Sequence, residues 1–409
     1  MLESAILHPH ENLNGSVGNS KYSVEVVDTE IGFLKLKEQW QWLLETCECA
    51  TIFLSYEWIY SWWKIFGNKK RLYILVVRGQ DDLIRGIAPF YFVQERMGFM
   101  TYTALKFLGN EHVGSDYLDI IVPEKERTAV LNVLLHHLLF VEKSWDVALL
   151  TDMDGSSTTL GWFKHCAPQS GLRVLIVDGQ TCPFLRLPMS DSDLARMRKK
   201  TKDFSKRVKI RFHRCHDPSE LEGAIECLFM LHQKRSMAIG RNSSLMNESV
   251  RAFHRKVMTV LLKSGWLRLF TLSVNGRLLA MLYGFQYNNK FYYYQSGFDP
   301  DPTWKAFSPG RIIVNLTIES AMEEGLQEYD FLRGDEPYKF HWAKMSRSTH
   351  TVVLTNRSFH GMYYYIIRHI ILTLKKLSQV WFLRLKQGLK FSPTRQLLAR
   401  RNYHETVQS

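Results

Sequence analysis

Apolar residues recur along this chain with two periods, and the period changes often. Residues 22–27 alternate between apolar and polar, as a half-buried strand does. Over 31–45, Phe33, Leu34, Leu36, Trp40, Leu43 and Leu44 fall near helical spacing, and 55–66 reads as a second helix ending at Gly67. The tryptophans of that helix, Trp58, Trp62 and Trp63, read as a core stripe rather than a substrate wall. Strands follow at 72–78 and 83–92, paired about a turn at 79–82, then at 105–108 and 117–122. A helix over 124–141, a strand over 145–151, a short helix over 158–165 and strands at 172–177 and 183–187 complete an interleaved α/β half.

The second half has a broadly similar order without any residue-level repeat. Helices over 220–234 and 248–264 precede three strands, 266–274, 278–287 and 290–297. Asn275-Gly276 and Asn288-Asn289 separate those strands, and both pairs tolerate the positive φ that tight hairpins demand. A helix over 308–324, a strand over 327–332, a short helix after Pro337 and a strand over 349–354 close the unit.

The stretch 291–343 organises the rest. Its helix opens at Ser308-Pro309-Gly310-Arg311. Ser308 suits an N-cap, and Pro309 the first helical position, where its missing N–H costs nothing. Gly310 removes a side chain and Arg311 adds a cation, so free amides and the helix dipole there predict a diphosphate seat. Ser-Pro-Gly also starts helices that bind nothing. A strand feeding a glycine-containing helix start beside a second strand is how α/β proteins build ligand crevices.

Charge sharpens the picture. The formal net charge is +13, but from Lys344 onward there are twelve Lys/Arg against one acid, which leaves the other 343 residues near +2. That argues against a nucleic-acid-binding role for the whole protein. One basic run, 190–214, holds ten Lys/Arg with only Asp203 after Asp193. It reads as a solvated helix joining the halves, or as a phosphate-binding helix for tRNA; Phe204 and Phe212 are its only aromatics for stacking. The six cysteines lack paired C-x-x-C spacing and read as reduced thiols, with no metal site. The first 20 residues read as a disordered leader lacking the marks of a secretory signal, and no apolar run is long enough to span a bilayer. Residues 359–390 form an amphipathic helix. Arg368, Lys375, Lys386 and Lys390 lie on one side; Ile366, Ile367, Ile370, Leu374, Leu377, Trp381 and Leu385 lie on the other. It suits either an anionic lipid surface or the protein's own body.

The run DFLRGDEPYKFHWA, with YYYQSGFDP and SPGR ahead of it, resembles the CelD-like acetyltransferase family of the GNAT superfamily, which is related to Fem-type aminoacyl transferases. FLSYEWIYSWWKIFG, GIAPFYF, LKFLGN and SDYLDIIV are similar to that family's N-terminal half. The resemblance covers roughly 22–354. It implies an α/β fold of two tandem GNAT-like units with mixed central sheets, at 21–188 and 216–356, joined by a basic linker helix at 189–215 and followed by the helical tail 357–409. It implies an acyl-CoA co-substrate, acetyl-CoA or another, and no metal. The acyl group would pass to an amine or hydroxyl of a polysaccharide or cell-envelope precursor. The reduced thiols and the missing secretory signal suit a cytoplasmic protein, and the amphipathic stretch 359–390 could place it on the inner face of the membrane. The alternatives are a Fem-type transferase using aminoacyl-tRNA and a non-catalytic scaffold of an envelope-assembly complex.

Carried onto this sequence, the resemblance makes Gln295, Ser296 and Gly297 the strand that holds the acyl carbonyl, with Ser308, Gly310 and Arg311 on the diphosphate. Asp335 is the expected general base or amine clamp, or else a cap of the helix at Pro337; Lys339 is the holder of an anionic substrate group, or else pairs with Glu336 on the surface; Tyr294 or Tyr338 is the proton donor to the thiolate. His112 and Asp116, in the loop implied to face the cleft, with Arg333 and Glu336, are expected to touch substrate. The usual Q/R-x-x-G-x-G/A signature of GNAT enzymes is absent, SPGR being a reduced form of it.

Overall fold

A computed structural model describes residues 21–240, 242–305 and 308–389; the expected leader 1–20 and the tail beyond 389 lie outside them. The first half runs β1 (Tyr22–Val27), α1 (Glu30–Lys35), α2 (Lys37–Glu45), α3 (Tyr56–Phe66), β2 (Arg71–Gly79), β3 (Ile84–Met97), β4 (Met100–Phe107), α4 (Arg127–His136), β5 (Val147–Asp154), α5 (Thr158–His165) and β6 (Arg173–Arg186). The second runs α6 (Asp191–Ser205), β7 (Ile210–Cys215), α7 (Pro218–Ala238), α8 (Glu248–Lys263), β8 (Leu267–Val274), β9 (Arg277–Tyr287), β10 (Lys290–Phe298), α9 (Pro302–Lys305), α10 (Pro309–Glu323), β11 (Glu328–Asp330) and β12 (Met345–Thr355), followed by α11 (Phe359–Leu389).

The twelve strands among the described residues form one sheet, ordered β1-β2-β3-β4-β5-β12-β6-β11-β10-β9-β8-β7. Each half is an antiparallel meander of four strands whose last strand, β4 or β10, pairs in parallel with a fifth, β5 or β11. A parallel pair needs a crossover, and α4 and α10 supply it. The halves then exchange their final strands: β12 pairs with β5, and β6 with β11. The core is correspondingly shared. Phe53 of the first half packs edge-on against Phe285 and Tyr292 of the second.

Several sequence expectations are corrected by local chemistry. The helix expected over 31–45 divides at Leu36, whose amide turns back to Phe33 and Leu34. Residues 117–122 are not a strand. Tyr117 sits at φ +59, Asp119 takes the Ile120 amide on its own carboxylate at 2.7 Å, and only an isolated bridge from Ile121 to Ile87 remains. The two strands expected at 172–177 and 183–187 are one, because Thr349 Oγ1 receives the Gln180 amide and keeps the intervening residues in the sheet. The basic run is a helix only to Ser205; Ile210 and Phe212 then alternate in β7, an edge strand. Trp58 and Trp62 are fully buried.

Candidate active site

β11 pairs with β10 over three residues only, Lys290–Tyr292 against Glu328–Asp330. Beyond them the strands part. The Asp330 carboxylate takes the Leu332 amide at 2.7 Å, Leu332 turns at φ +56, and the Arg333 amide goes instead to Asp116 at 3.0 Å. On the other flank β10 shifts register against β9 between Tyr293 and Gln295. Such a bulge leaves one residue, here Tyr294, out of the ladder and re-aims its neighbours. A cavity of about 380 Å³ fills the gap. Its floor is β10, with α7 and α8 on one side and the loops 331–339 and 112–116 on the other, so both halves build it.

Nine of the fourteen residues singled out from the sequence line this cavity: His112, Asp116, Tyr294, Gln295 and Ser296, together with Arg333, Glu336, Tyr338 and Lys339. They do not share one role. Asp116 is fully buried and binds Arg333 Nε at 2.5 Å; the same guanidinium reaches Asp152 at 3.2 Å and the Ser115 carbonyl. This clamp ties the 112–116 loop of one half to the 331–339 loop of the other. Burial raises the Asp116 pKa against the opposing pull of Arg333. Lys339, expected to hold substrate, has another job: its buried ammonium donates to the carbonyls of Leu332, Arg333 and Gly334 at 3.2, 2.6 and 3.2 Å and pairs with Glu336 at 3.0 Å. Its donors are spent on closing that turn.

Asp335 does not line the cavity. It is exposed and has no hydrogen bond or ion pair among the described residues, so the expected general base sits outside the pocket. Gly297 is a packing residue: a Cβ there would meet the backbone nitrogen of His232 at 2.5 Å and the carbonyl carbon of Leu231 at 2.7 Å. Tyr294 donates to the Val113 carbonyl, and burial raises its pKa. The Tyr338 hydroxyl meets that of Tyr293, and desolvation raises its pKa too. Tyr293 in turn reaches Ser296 Oγ at 2.5 Å, so Tyr338, Tyr293 and Ser296 form a chain of hydroxyls. His112, at the rim, stacks on Phe66 with centroids 4.9 Å apart.

The sequence reading missed three residues on α7 and α8. His232 is buried between Ser243 Oγ at 2.7 Å and Gln295 Oε1 at 3.0 Å; burial and the neighbouring Arg235 lower its pKa, which keeps the ring neutral. Arg235 donates to the Ser296 hydroxyl and carbonyl at 3.0 and 3.2 Å. His254 is fully enclosed among Phe253, Tyr283 and Tyr294, and burial pulls its pKa down to about 3. A signal existed: His232 and His254 each stand four residues after a buried apolar residue, Leu228 and Val250, where the helix's core face demands another.

Ser308, Gly310 and Arg311 lie beside the cavity, not in it. Ser308 is no N-cap: it adopts the left-handed conformation (φ +53, ψ +65) and its hydroxyl caps nothing. A Cβ on Gly310 would touch the Phe298 ring at 3.0 Å, and Arg235 lies over that ring at 4.9 Å, so Phe298 joins the helix start to the cavity wall. The Arg311 side chain is half-buried and its guanidinium makes no ion pair or hydrogen bond among the described residues; burial alone lowers its pKa. A partly desolvated guanidinium without a counter-ion, at the positive end of a helix, fits an anionic group.

Residues 192–340 match the model of an acetyltransferase (GNAT) domain. No curated protein matches the chain. Among solved structures, FemX superposes with a TM-score of 0.56 at 12% identity, over 80% of this chain and 96% of that one. A conserved protein of unknown function from Bacteroides thetaiotaomicron gives 0.50 at 12% identity, over 82% of this chain and all of the other. At these identities the likeness is one of fold.

Proposed function

We propose that the GNAT acetyltransferase domain at 192–340 is catalytic, and that the protein moves an acyl group from acyl-CoA to an amine or hydroxyl. One juxtaposition carries the reading. At one end of β10, Arg311, whose guanidinium is unpaired among the described residues, opens α10, and next to it, across Phe298, lies a polar cavity where two parallel strands part. The first feature suits a diphosphate and the second a thioester with its acceptor.

Acyl transfer asks the protein to polarise a carbonyl, accept a proton from the nucleophile and return one to the thiolate. In this reading the bulge at Tyr294 offers β10 backbone to the acyl oxygen. His232 replaces Asp335 as the candidate base: with Nδ1–H donated to Ser243 Oγ, its Nε2 lone pair takes the proton once the acceptor displaces the Gln295 amide. The Tyr338–Tyr293–Ser296 chain supplies the returning proton. The acceptor class, a polysaccharide or cell-envelope precursor, follows from the resemblance at 330–343. The fold likeness to FemX does not choose the donor, so a charged tRNA belongs in the test. Titration of the full chain with acetyl-CoA, a longer acyl-CoA and an aminoacyl-tRNA should show binding of a CoA thioester, and Arg311→Glu should weaken it about 10- to 100-fold. An unchanged affinity in that variant, or binding of the tRNA alone, would remove the CoA seat.

α11 supports a proposed membrane contact. Its first turns pack on the body, with Tyr364 buried against Tyr102 at 5.0 Å. Beyond them Ile366, Ile370, Leu374 and Leu377 are about half exposed or more, an apolar stripe the body leaves uncovered. The side chains of Lys375, Lys376 and residues from 379 on lie outside the described residues. No helix among the described residues is long and apolar enough to cross a membrane. Flotation with vesicles containing anionic lipid should recover the full chain and lose the variant Ile370→Asp/Leu374→Asp; equal recovery of both would exclude the contact.

A further inference from the structure

We propose that a second cavity, between α2, α3 and the β9–β10 turn, binds a small organic ammonium ion of the alkylamine or quaternary-ammonium class. The cavity measures about 300 Å³ and shares no lining residue with the active-site cavity. It lies at the start of α3, by Tyr56 and Glu57, whereas the end of that helix carries Phe66, which stacks on His112.

Its chemistry is one-sided. Glu57 from α3 and Glu45 from the end of α2 line it, and among the described residues no Lys, Arg or His does. Trp266 and Tyr287 meet edge to face in its wall, centroids 4.9 Å apart at 85°; Tyr56 also lines it, its ring stacked on Tyr60 at 5.4 Å. Aromatic faces beside carboxylates are what an organic cation needs, since ring quadrupoles and negative charge both attract it.

Two buried polar atoms of the lining residues add to this. Glu57 is 5% exposed; one of its oxygens accepts from Gln41 at 2.8 Å and the other, Oε2, has no hydrogen-bond partner among the described residues. The Tyr56 hydroxyl, 4% exposed, has none among them either. The first turn of α3 offsets part of the cost of burying the Glu57 charge but supplies no counter-ion. Arg268 touches the wall through Gln286 at 3.0 Å, yet its guanidinium is already held by both oxygens of Glu324. An ammonium in the cavity would place its charge against Glu57 and its carbons against the rings.

The site is independent of the transferase reading and is tested without any acyl donor. Calorimetric titration of the full chain with choline, ethylammonium and the neutral choline isostere 3,3-dimethyl-1-butanol should show saturable binding of an ammonium ion and none of the isostere. Glu57→Gln keeps the shape and removes the charge, and should weaken binding at least about tenfold. Glu45→Arg lies on the exposed rim, where folding is not at stake, and places a cation at the mouth; it should weaken binding severalfold. The proposal is overturned if the isostere binds equally, if both variants titrate like the parent protein, or if neither ammonium ion saturates by roughly 50 mM.

Discussion

Replacing Arg333 with Met should destabilise the protein by about 3–5 kcal/mol at pH 8, because it strips the partner from a buried carboxylate. Asp116 is fully buried and receives both the Arg333 amide and its Nε. The folded-state pKa of Asp116 is already raised by burial, and without the guanidinium it would climb further. A carboxyl that holds its proton more tightly when folded contributes stability below its unfolded pKa and loses it as pH rises through the folded value. The loss in Arg333→Met should therefore be smaller at pH 5 than at pH 8. Urea unfolding at the two pH values measures it, and Asp116→Leu/Arg333→Met should recover most of the loss by removing the buried charge. A loss independent of pH, or one under about 1 kcal/mol, would mean the clamp does not join the halves.

Gly297→Ala should damage the site from a distance. The added methyl would meet backbone atoms of His232 and Leu231, which cannot rotate away, so α7 must retreat from β10. Overpacking of this kind costs about 1–3 kcal/mol. α7 carries His232 and Arg235, and displacing such groups by an ångström lowers acyl transfer about 100-fold. Gly223→Ala is the matched control: it lies in the same helix with nothing within 4 Å of the added carbon, so it should be neutral or slightly stabilising. Denaturant midpoints and kcat/KM of both variants test the pair. Full activity in Gly297→Ala would show that the position of α7 does not matter to the reaction.

Particular residues show how far the sequence reads. Asn275-Gly276 and Asn288-Asn289 announced their hairpins because positive φ is a local property, and all four residues adopt it. Ser308 failed as an N-cap for the same kind of reason inverted: its left-handed conformation is set by the chain around it, and Ser-Pro carries no mark of it. His112, Asp116, Arg333 and Tyr338, singled out in loops of the two halves, all line one cavity, although Asp116 and Arg333 are spent on each other. Asp335 and Lys339, four residues apart in one such loop, went opposite ways, one to solvent and one into its own turn. Side-chain direction in an irregular segment has no period to read.

By itself the sequence determined the interleaved α/β order, the hairpins and most of the helices, because propensity and apolar period act over a few residues. Only the tertiary structure decided that the halves exchange β6 and β12, that α7 and α8 wall the cavity with two neutral histidines, and that Arg333 closes on Asp116. Those outcomes depend on pairings between residues up to about 200 positions apart, whose energy comes from shared burial and is written in no local stretch of the chain.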